Sequence, residues 1–185
     1  MSHLWHDIPA GKDPPELITA IVEIPGGSRN KYELDKETGL FRLDRVLYSA
    51  VHYPGDYGFI PQTLSEDGDP SDVLVLIREP TFVGCAIPAR PIGILRMLDR
   101  GEPDEKIVAV PAEDPFQHEY SDIADVPPHM LREIEHFFQI YKDLEGKRVQ
   151  VGDWEGSRAA MTEISRAMER YHDSAPVTGW RRHAF

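Results

Sequence analysis

Acidic side chains are concentrated in one short stretch of the sequence. Residues 65–77 read SEDGDPSDVLVLI, so that Asp67, Asp69 and Asp72 come just before an apolar run. Carboxylates about 4 Å apart repel one another by roughly 4 kcal/mol at an effective dielectric constant near 20, and a cation between them removes that repulsion. Gly68 and Pro70 fix the turn that carries them. The pattern indicates a site for Mg²⁺ or Mn²⁺ rather than Zn²⁺.

A solvated acidic turn is the other interpretation of this stretch, because Asp, Gly, Pro and Ser are ordinary residues of surface loops. An EF-hand is excluded. With Asp67 in the first position, the sixth residue is Asp72 instead of Gly and the twelfth is Arg78 instead of Glu. The turn alone therefore leaves both a metal site and a solvated loop open.

Composition limits the classes of function. A chain of 185 residues, 28% charged and 41% hydrophobic, is typical of one globular domain, here expected to span residues 1–185. A net charge of −12 disfavours binding to nucleic acid or to an anionic membrane. Cys85, the only cysteine, excludes an internal disulfide and is expected to be a small buried residue. Without a long apolar run or the residue order of a signal peptide, we expect a cytoplasmic protein.

Hydrophobic periodicity predicts strands followed by helices. The alternating or apolar stretches predicted as strands are residues 17–24, 31–34, 39–47, 73–77, 90–98, 105–110 and 148–151. The stretches with helical spacing are residues 128–141, which begin at the second of two prolines, and 157–171. Residues 1–15 are expected to be an irregular lead-in, and residues 173–185 a mobile tail without periodicity.

Further polar side chains fall at the ends of these predicted strands. Glu23 ends the first strand, and Lys31 and Glu33 share one face of the second, where they could form a salt bridge of little energetic worth. Asp99 and Asp104 flank the tip of a hairpin and are expected to face a common point. Acids at several strand ends could form one site, although surface turns of an acidic protein could produce the same pattern.

Tyr53 and Tyr57 bracket the Pro54–Gly55 turn in the sequence VHYPGDYGFIP. Their phenol groups could pack as core aromatics with one polar edge, or they could bind an anion through the hydroxyl groups. Periodicity does not decide between these two roles.

Four longer segments together produce a close resemblance to the family I soluble inorganic pyrophosphatases in their compact bacterial form. The segments are IVEIPGGSRNKYELD, LDRVLYSAVHYPGDYGFIPQTLSEDGDPSDVLVL, MLDRGEPDEKIVAVP and HFFQIYKDLEGKRVQVGDW. The resemblance spans about residues 17–168. It implies a mainly β fold with α, in which two principal helices pack outside a closed five-stranded OB-like barrel. It also implies hydrolysis of pyrophosphate to two phosphates by a metal-activated water, without a covalent intermediate.

The resemblance assigns a role to each matching residue. The metal ligands that it implies are Asp67, Asp72, Asp99 and Asp104, with help from Glu33. The residues implied in catalysis are Asp69, which orients or deprotonates the attacking water, together with Tyr57, Lys31 and Arg45. Those implied in phosphate binding are Lys31, Arg45, Tyr57, Lys106, Tyr141 and Lys142, and the supporting positions are Glu23 and Tyr53.

The resemblance further implies several Mg²⁺ ions per active site, with Mn²⁺ as a substitute, and pyrophosphate and phosphate as small-molecule partners. It implies a homo-oligomer, a hexamer in members of this length, with His136 at a subunit interface. Two positions depart from the family pattern. Arg100 stands where many bacterial relatives have an acid, and Ile140 replaces a second interface histidine of some relatives.

Two alternatives from other classes remain. One is a non-catalytic divalent-metal-binding β-barrel, in which an ion at 100 times its dissociation constant would stabilise the fold by about 2.7 kcal/mol. That alternative leaves Lys31, Arg45 and the Tyr141–Lys142 pair unexplained. The other is an oligonucleotide-binding OB module, which requires a basic face with aromatic residues and is disfavoured by the net charge of −12.

Overall fold

The computed structural model describes residues 3–174, in which ten strands and two long helices follow one another. In chain order the strands are β1 (Gly11–Asp13), β2 (Leu17–Ile24), β3 (Asn30–Leu34), β4 (Phe41–Val46), β5 (Asp56–Phe59), β6 (Asp72–Val75), β7 (Ala86–Asp99), β8 (Glu102–Pro103), β9 (Lys106–Pro111) and β10 (Val149–Gly156). The helices are α1 (Pro128–Ile140) and α2 (Ser157–Ser174), with short 3-10 helices at Ile123–Asp125 and Asp143–Glu145.

Five of the strands close into a ring in the order β2, β5, β6, β9 and β7, because β7 also pairs with β2. The pairs are antiparallel except for β6 with β9, which is parallel. Strand β1 extends the sheet beyond β2, and β8 and β10 pair with β7. This ring confirms the expected five-stranded OB-like architecture.

Strand β6 shows why the sequence after the acidic turn is continuously apolar. Val73 and Val75 pack in the hydrophobic cluster that contains Ile164 of α2, whereas Leu74 packs in the cluster that contains Phe138 of α1. These three apolar residues of β6 are at most 1% exposed. A strand that is covered on both faces needs apolar residues at consecutive positions, and this places the acidic turn at the end of a rigid strand.

Both helices start at residues suited to a helix N-terminus. Helix α1 begins at a proline, for which a missing N–H costs nothing in the first turn. The Asp122 carboxylate accepts hydrogen bonds from the Ser157 backbone N–H at 2.8 Å and from its hydroxyl at 3.0 Å, at the start of α2. Among residues 3–174, no helix combines the length and apolar character needed to cross a membrane.

Strands β3 and β4 form a separate two-stranded sheet. In their register, Lys31 lies opposite Arg45 and Glu33 lies opposite Arg42. Leu43 of β4 is 52% exposed, so this hairpin is only partly covered by the rest of the structure. It therefore carries charged side chains from β3 toward the barrel without adding a strand to the ring.

Several sequence predictions need correction. The lead-in expected to be irregular contains β1 and a buried Trp5, and β5 forms directly after the Pro54–Gly55 turn, where no strand was predicted. Strands β7 and β10 are longer than predicted, and Cys85 is partly exposed rather than buried. Residues 173 and 174, predicted as tail, end α2, and the remaining tail lies outside the described residues.

Candidate active site

A cavity of about 400 Å³ collects most of the side chains that were predicted to form the site. It is lined by the end of β2, strand β3, the acidic loop before β6, the β7–β8 hairpin and the residues that follow α1. The predicted site residues that line it are Glu23, Lys31, Glu33, Tyr57, Asp67, Asp69, Asp72, Asp99, Asp104, Lys106, Tyr141 and Lys142. Residues far apart in the chain are thus brought to one place by the ring of strands.

Two predicted site residues, Arg45 and Tyr53, do not line this cavity. The Nε of Arg45 donates a hydrogen bond to Glu145 at 2.9 Å. Although burial lowers the pKa of Arg45, Glu145 and Asp44 raise it above its ordinary value. Tyr53 is 3% exposed, and its ring centroid lies 4.8 Å from that of Phe137. Tyr53 is therefore a core aromatic, whereas Arg45 lies beside the site in an ion pair.

Tyr57 combines the two roles that the sequence left open. Its ring is 8% exposed and packs 5.2 Å from that of Tyr53, but the residue also lines the cavity. The ammonium of Lys106 lies 5.9 Å from the centroid of this ring. Burial raises the pKa of Tyr57 well above that of a free phenol, and Asp72 and Asp104 add to the rise. The hydroxyl therefore stays protonated at neutral pH and can donate a hydrogen bond.

Backbone and hydroxyl contacts hold the acidic loop in place. The Ser71 backbone N–H donates to the Thr63 hydroxyl at 2.9 Å, and that hydroxyl donates to the Ile60 carbonyl at 2.6 Å. Within the loop, the Asp69 N–H donates to the Asp67 carboxylate at 3.0 Å. Thr63 is fully buried, so this contact anchors the loop to the core at Ser71, immediately before Asp72.

Lys106 is the most deeply buried cation of the site, with 2% of the residue exposed. Its ammonium donates to Asp72 at 2.5 Å and also to Asp104. Burial alone would lower the pKa of Lys106, but the two carboxylates raise it, so this side chain remains charged. Lys106 therefore holds an aspartate of the acidic loop and an aspartate of the hairpin around one positive charge.

The other lysines of the cavity also contact carboxylates. Lys142 donates to Asp99 at 2.6 Å. Lys31 forms an ion pair with Glu33, as the shared strand face predicted. Cations and carboxylates are therefore interleaved throughout the cavity.

Sequence reasoning missed Lys36 and Trp5. Lys36 forms an ion pair with Asp69, and its ammonium lies 5.6 Å from the ring of Trp5. The Trp5 indole N–H donates to the Thr63 carbonyl at 2.9 Å, which connects the N-terminal residues to the base of the acidic loop. Lys36 lies five positions after Lys31 in KYELDK and could have been considered. Nothing in the sequence indicates the Trp5 contact.

Acidic groups outnumber basic groups in the cavity. Eight carboxylates line it when Glu102 is included, and five cations line it when Arg100 is included. Burial, reinforced by Asp72, raises the pKa of Glu23 to about 8 although the Leu34 N–H opposes this rise. Burial and Asp72 likewise raise the pKa of Asp67. These carboxyl groups hold a proton more tightly than usual, and they would also favour a cation in place of the proton.

The chemistry of these side chains fits a hard divalent ion. Carboxylate oxygens are the ligands that Mg²⁺ and Mn²⁺ prefer, and no cysteine or histidine lines the cavity among residues 3–174. Within the same described residues, no three acidic, histidine or cysteine side chains form a ready-made ion site. Asp72 and Asp104 both accept hydrogen bonds from Lys106. Burial and the charge of Asp72 raise the pKa of Asp104, although Lys106 opposes this rise.

Known proteins resemble this chain over nearly its whole length. A family model described as inorganic pyrophosphatase matches residues 20–172. A protein of Geobacillus stearothermophilus named inorganic pyrophosphatase is 52% identical over 158 residues, which are 85% of this chain and 96% of that protein. Soluble inorganic pyrophosphatase 2 of Chlamydomonas reinhardtii is 49% identical over 172 residues, which are 93% of this chain and 90% of that protein.

A solved structure gives the same result in three dimensions. The crystal structure of inorganic pyrophosphatase from Thermus thermophilus is similar with a TM-score of 0.89 and 44% sequence identity. The match covers 92% of this chain and 99% of the other. The predicted residues that line the cavity lie between Glu23 and Lys142 and so fall inside the range matched by the family model.

Proposed function

Since this chain belongs to the inorganic pyrophosphatase family and hydrolyses inorganic pyrophosphate to two phosphates, we propose that the cavity around Lys106 is its active site. The observation that supports this most is the mixture of charges. Carboxylates able to hold divalent ions line the same cavity as lysines able to bind phosphate oxygens. Pyrophosphate with its counter-ions presents both kinds of charge, and an acidic protein can bind an anion that arrives with a metal.

We assign the metal to carboxylates on two sides of the cavity. The proposed ligands are Asp67, Asp72, Asp99 and Asp104, with Glu33 assisting. Inorganic pyrophosphatases of this family depend on metal ions, and the oxygen-only ligand set favours Mg²⁺, with several ions per site and Mn²⁺ as a substitute. A bound divalent ion lowers the pKa of water toward about 7 and neutralises phosphate charge.

The remaining side chains orient the reactants and move the proton. Asp69 accepts the proton of the attacking water, and its position is fixed by its own backbone N–H and by Lys36. Lys31, Lys142 and the hydroxyl of Tyr141 bind phosphate oxygens. Burial, followed by Asp104 and Asp99, raises the pKa of Tyr141 well above that of a free phenol, so its hydroxyl remains a hydrogen-bond donor.

Buried and flanking side chains complete this arrangement. Tyr57 and Lys106 bind phosphate oxygens from the floor of the site, and Glu23 and Tyr53 support the residues in front of them. Arg45 binds phosphate from beside Lys31, its partner in the strand register. The charge of Arg45 already opposes the rise in the pKa of Tyr141, which is consistent with a position close to the site.

The direct test is phosphate release from pyrophosphate with Mg²⁺ and with a chelator, for the native chain and for Asp69→Asn. We expect release only with the metal, and a decrease in kcat of about 10²- to 10⁴-fold in the variant because a general base is lost. Asp153→Asn, on exposed β10, removes one negative charge outside the cavity and should leave kcat within about twofold.

A chain that binds Mg²⁺ but releases no phosphate would contradict the enzymatic function. That result would favour the non-catalytic metal-binding barrel. Equal kcat values for the native chain and Asp69→Asn would instead show that another group accepts the proton.

The assembly and the location belong to the same proposal. We propose a cytoplasmic homohexamer of one-domain subunits, without a nucleic-acid or membrane partner, in which the exposed His136 of α1 contacts a neighbouring subunit. The free, partly exposed Cys85 is compatible with a reducing compartment. If His136→Ala leaves the mass of the assembly unchanged across pH and dilution, the interface role of His136 is wrong.

A further inference from the structure

The tip of the β7–β8 hairpin adopts a backbone conformation that does not suit one of its two residues, Arg100. Strand β7 ends at Asp99 and β8 begins at Glu102, which leaves a two-residue turn. Arg100 has a φ of 54° and Gly101 a φ of 88°. Two successive positive φ angles are the pattern of a type I′ turn, in which Asn, Asp or Gly is favoured at the first position. An arginine there carries a steric cost that asparagine or glycine would reduce.

Arg100 also differs from the other cations of the cavity. Lys31, Lys36, Lys106 and Lys142 each form an ion pair with at least one carboxylate. Arg100 lines the same cavity and is exposed, yet it forms no hydrogen bond or ion pair with any side chain of residues 3–174. Its guanidinium group is therefore the one lining cation of the described chain whose donors face no competing carboxylate.

A guanidinium group has the geometry to bind phosphate with two parallel N–H donors. The lysines must exchange a carboxylate for a phosphate oxygen when substrate binds, whereas Arg100 exchanges only water. Its position at the hairpin tip, next to Asp99, places this charge at the edge of a cavity in which carboxylates are in excess.

We propose that Arg100 is a substrate-binding residue that contacts the oxygens of one phosphoryl group of pyrophosphate from the hairpin tip. This inference rests on the proposed function of the cavity. Because the contact is made to substrate oxygens and not to the attacked bond, it acts on the ground state and the transition state alike. Its loss should therefore change KM much more than kcat.

A purely structural role of Arg100 leads to different results. A solvated arginine in a strained turn would be replaced by asparagine with a gain in stability and no change in KM. If Arg100 binds substrate, Arg100→Asn increases stability but weakens substrate binding, because arginine suits the phosphate and does not suit the turn. KM separates the two roles, because both predict a gain in stability, and the unfolding measurement shows that the variant is folded.

The experiment compares Arg100→Asn, Arg100→Lys and the control Arg158→Gln, which removes a positive charge from the exposed surface of α2. Initial rates of phosphate release are measured against the concentration of magnesium pyrophosphate, and thermal unfolding is measured without substrate. We expect Arg100→Asn to raise KM about tenfold, to keep kcat within about twofold and to raise the unfolding midpoint. Arg100→Lys should give an intermediate KM, and the control should match the native chain.

An unchanged KM in Arg100→Asn, measured against an active native chain, would overturn this inference and leave the proposed function intact. An equal rise in KM in Arg158→Gln would also overturn it, since net charge alone would then explain the effect. A native chain that does not hydrolyse pyrophosphate would overturn the proposed function, and the role of Arg100 with it.

Discussion

Two clusters of ion pairs include the neighbouring residues Lys106 and Glu105, and they differ in how charge is balanced. The proposed active-site cavity contains Lys106 between two aspartates, whereas the outer network consists of Arg96, Glu105, Glu155, Glu163, Arg166 and Arg170. In the outer network Arg96 donates to Glu155 at 2.9 Å and Arg170 donates to Glu163 at 2.8 Å. The hydrogen bonds between Arg96 and Glu155 lower the pKa of the Glu155 carboxyl group and raise the pKa of the Arg96 guanidinium group.

Three carboxyl groups of the cavity show the opposite tendency. Burial raises the pKa of Glu23, Asp67 and Asp104, and Asp72 adds to each rise. At Glu155 of the outer network the folded structure favours the charged form, whereas in the cavity it disfavours that form for these three acids. An arrangement selected for stability alone would not keep this excess of acids, so its retention points to chemistry that uses a cation.

Substitution of Lys106, the buried cation of the cavity, should have the largest effect on the free energy of unfolding. Lys106→Met leaves Asp72 and Asp104 without their shared partner, and breaking a buried ion pair costs about 3–5 kcal/mol. We expect a loss of this size in urea unfolding with a chelator present, and a partial recovery on adding Mg²⁺.

Lys147→Met is the matched control, because Lys147 pairs with Glu145 at 2.8 Å outside the cavity. Its free energy of unfolding should decrease by less than about 1 kcal/mol and should respond less to Mg²⁺. If the two variants lose the same stability, Lys106 does not have the special electrostatic role inferred from its burial.

The pH dependence of stability provides a second test of the difference between the cavity and the outer network, because Glu23 of the cavity has a raised pKa. The pKa of this carboxyl group is raised to about 8 in the folded chain from an ordinary value of 4.5. The folded state therefore binds the proton more tightly, so stability from this group is present below pH 4.5 and is lost as the pH rises toward 8. The slope is at most about 1.4 kcal/mol per pH unit.

Glu23→Gln keeps an oxygen that can accept the Leu34 N–H but removes the titration. In the presence of a chelator, the free energy of unfolding of this variant should fall less steeply between pH 5 and pH 8 than that of the native chain. Parallel curves for the two proteins would show that Glu23 does not titrate in this range.

Changes in the outer network should have the smallest effect. Arg96→Met removes contacts with Glu105 and Glu155, and pairs of this partly exposed kind contribute about 1 kcal/mol or less in total. We expect a correspondingly small loss in urea unfolding and a kcat within about twofold of the native value. A tenfold loss of kcat would mean that the outer network also supports the active site.

The sequence predicted the elements whose pattern is local. The apolar run after Asp72 predicted β6, and helical spacing predicted α1 and α2. Strand β5 was not predicted, because one of its residues is determined by a contact with a strand that is distant in the sequence. A Cβ atom at Gly58 would lie 1.8 Å from the Ile21 carbonyl oxygen of β2, so glycine is required there although it weakens the strand pattern.

The site was predictable where a motif places several acids together, and less so where single side chains meet. Resemblance located the residues that line the cavity, but it could not show that the Arg45 guanidinium would contact Glu145. Trp5 contacts the Thr63 carbonyl across 58 positions of sequence, and no periodicity connects them. Such contacts join segments that are distant in the sequence, and only the three-dimensional structure shows them.

The most direct measurement compares one neutralised acid from each cluster, Asp104→Asn from the cavity and Glu155→Gln from the outer network. Mg²⁺-dependent phosphate release from pyrophosphate and urea unfolding with a chelator are measured for both variants. If the acids of the cavity serve metal-dependent hydrolysis, Asp104→Asn loses about 100-fold or more in activity with little loss of stability, and Glu155→Gln keeps its activity. Full activity in Asp104→Asn, or an equal loss in both variants, would contradict this role of the cavity.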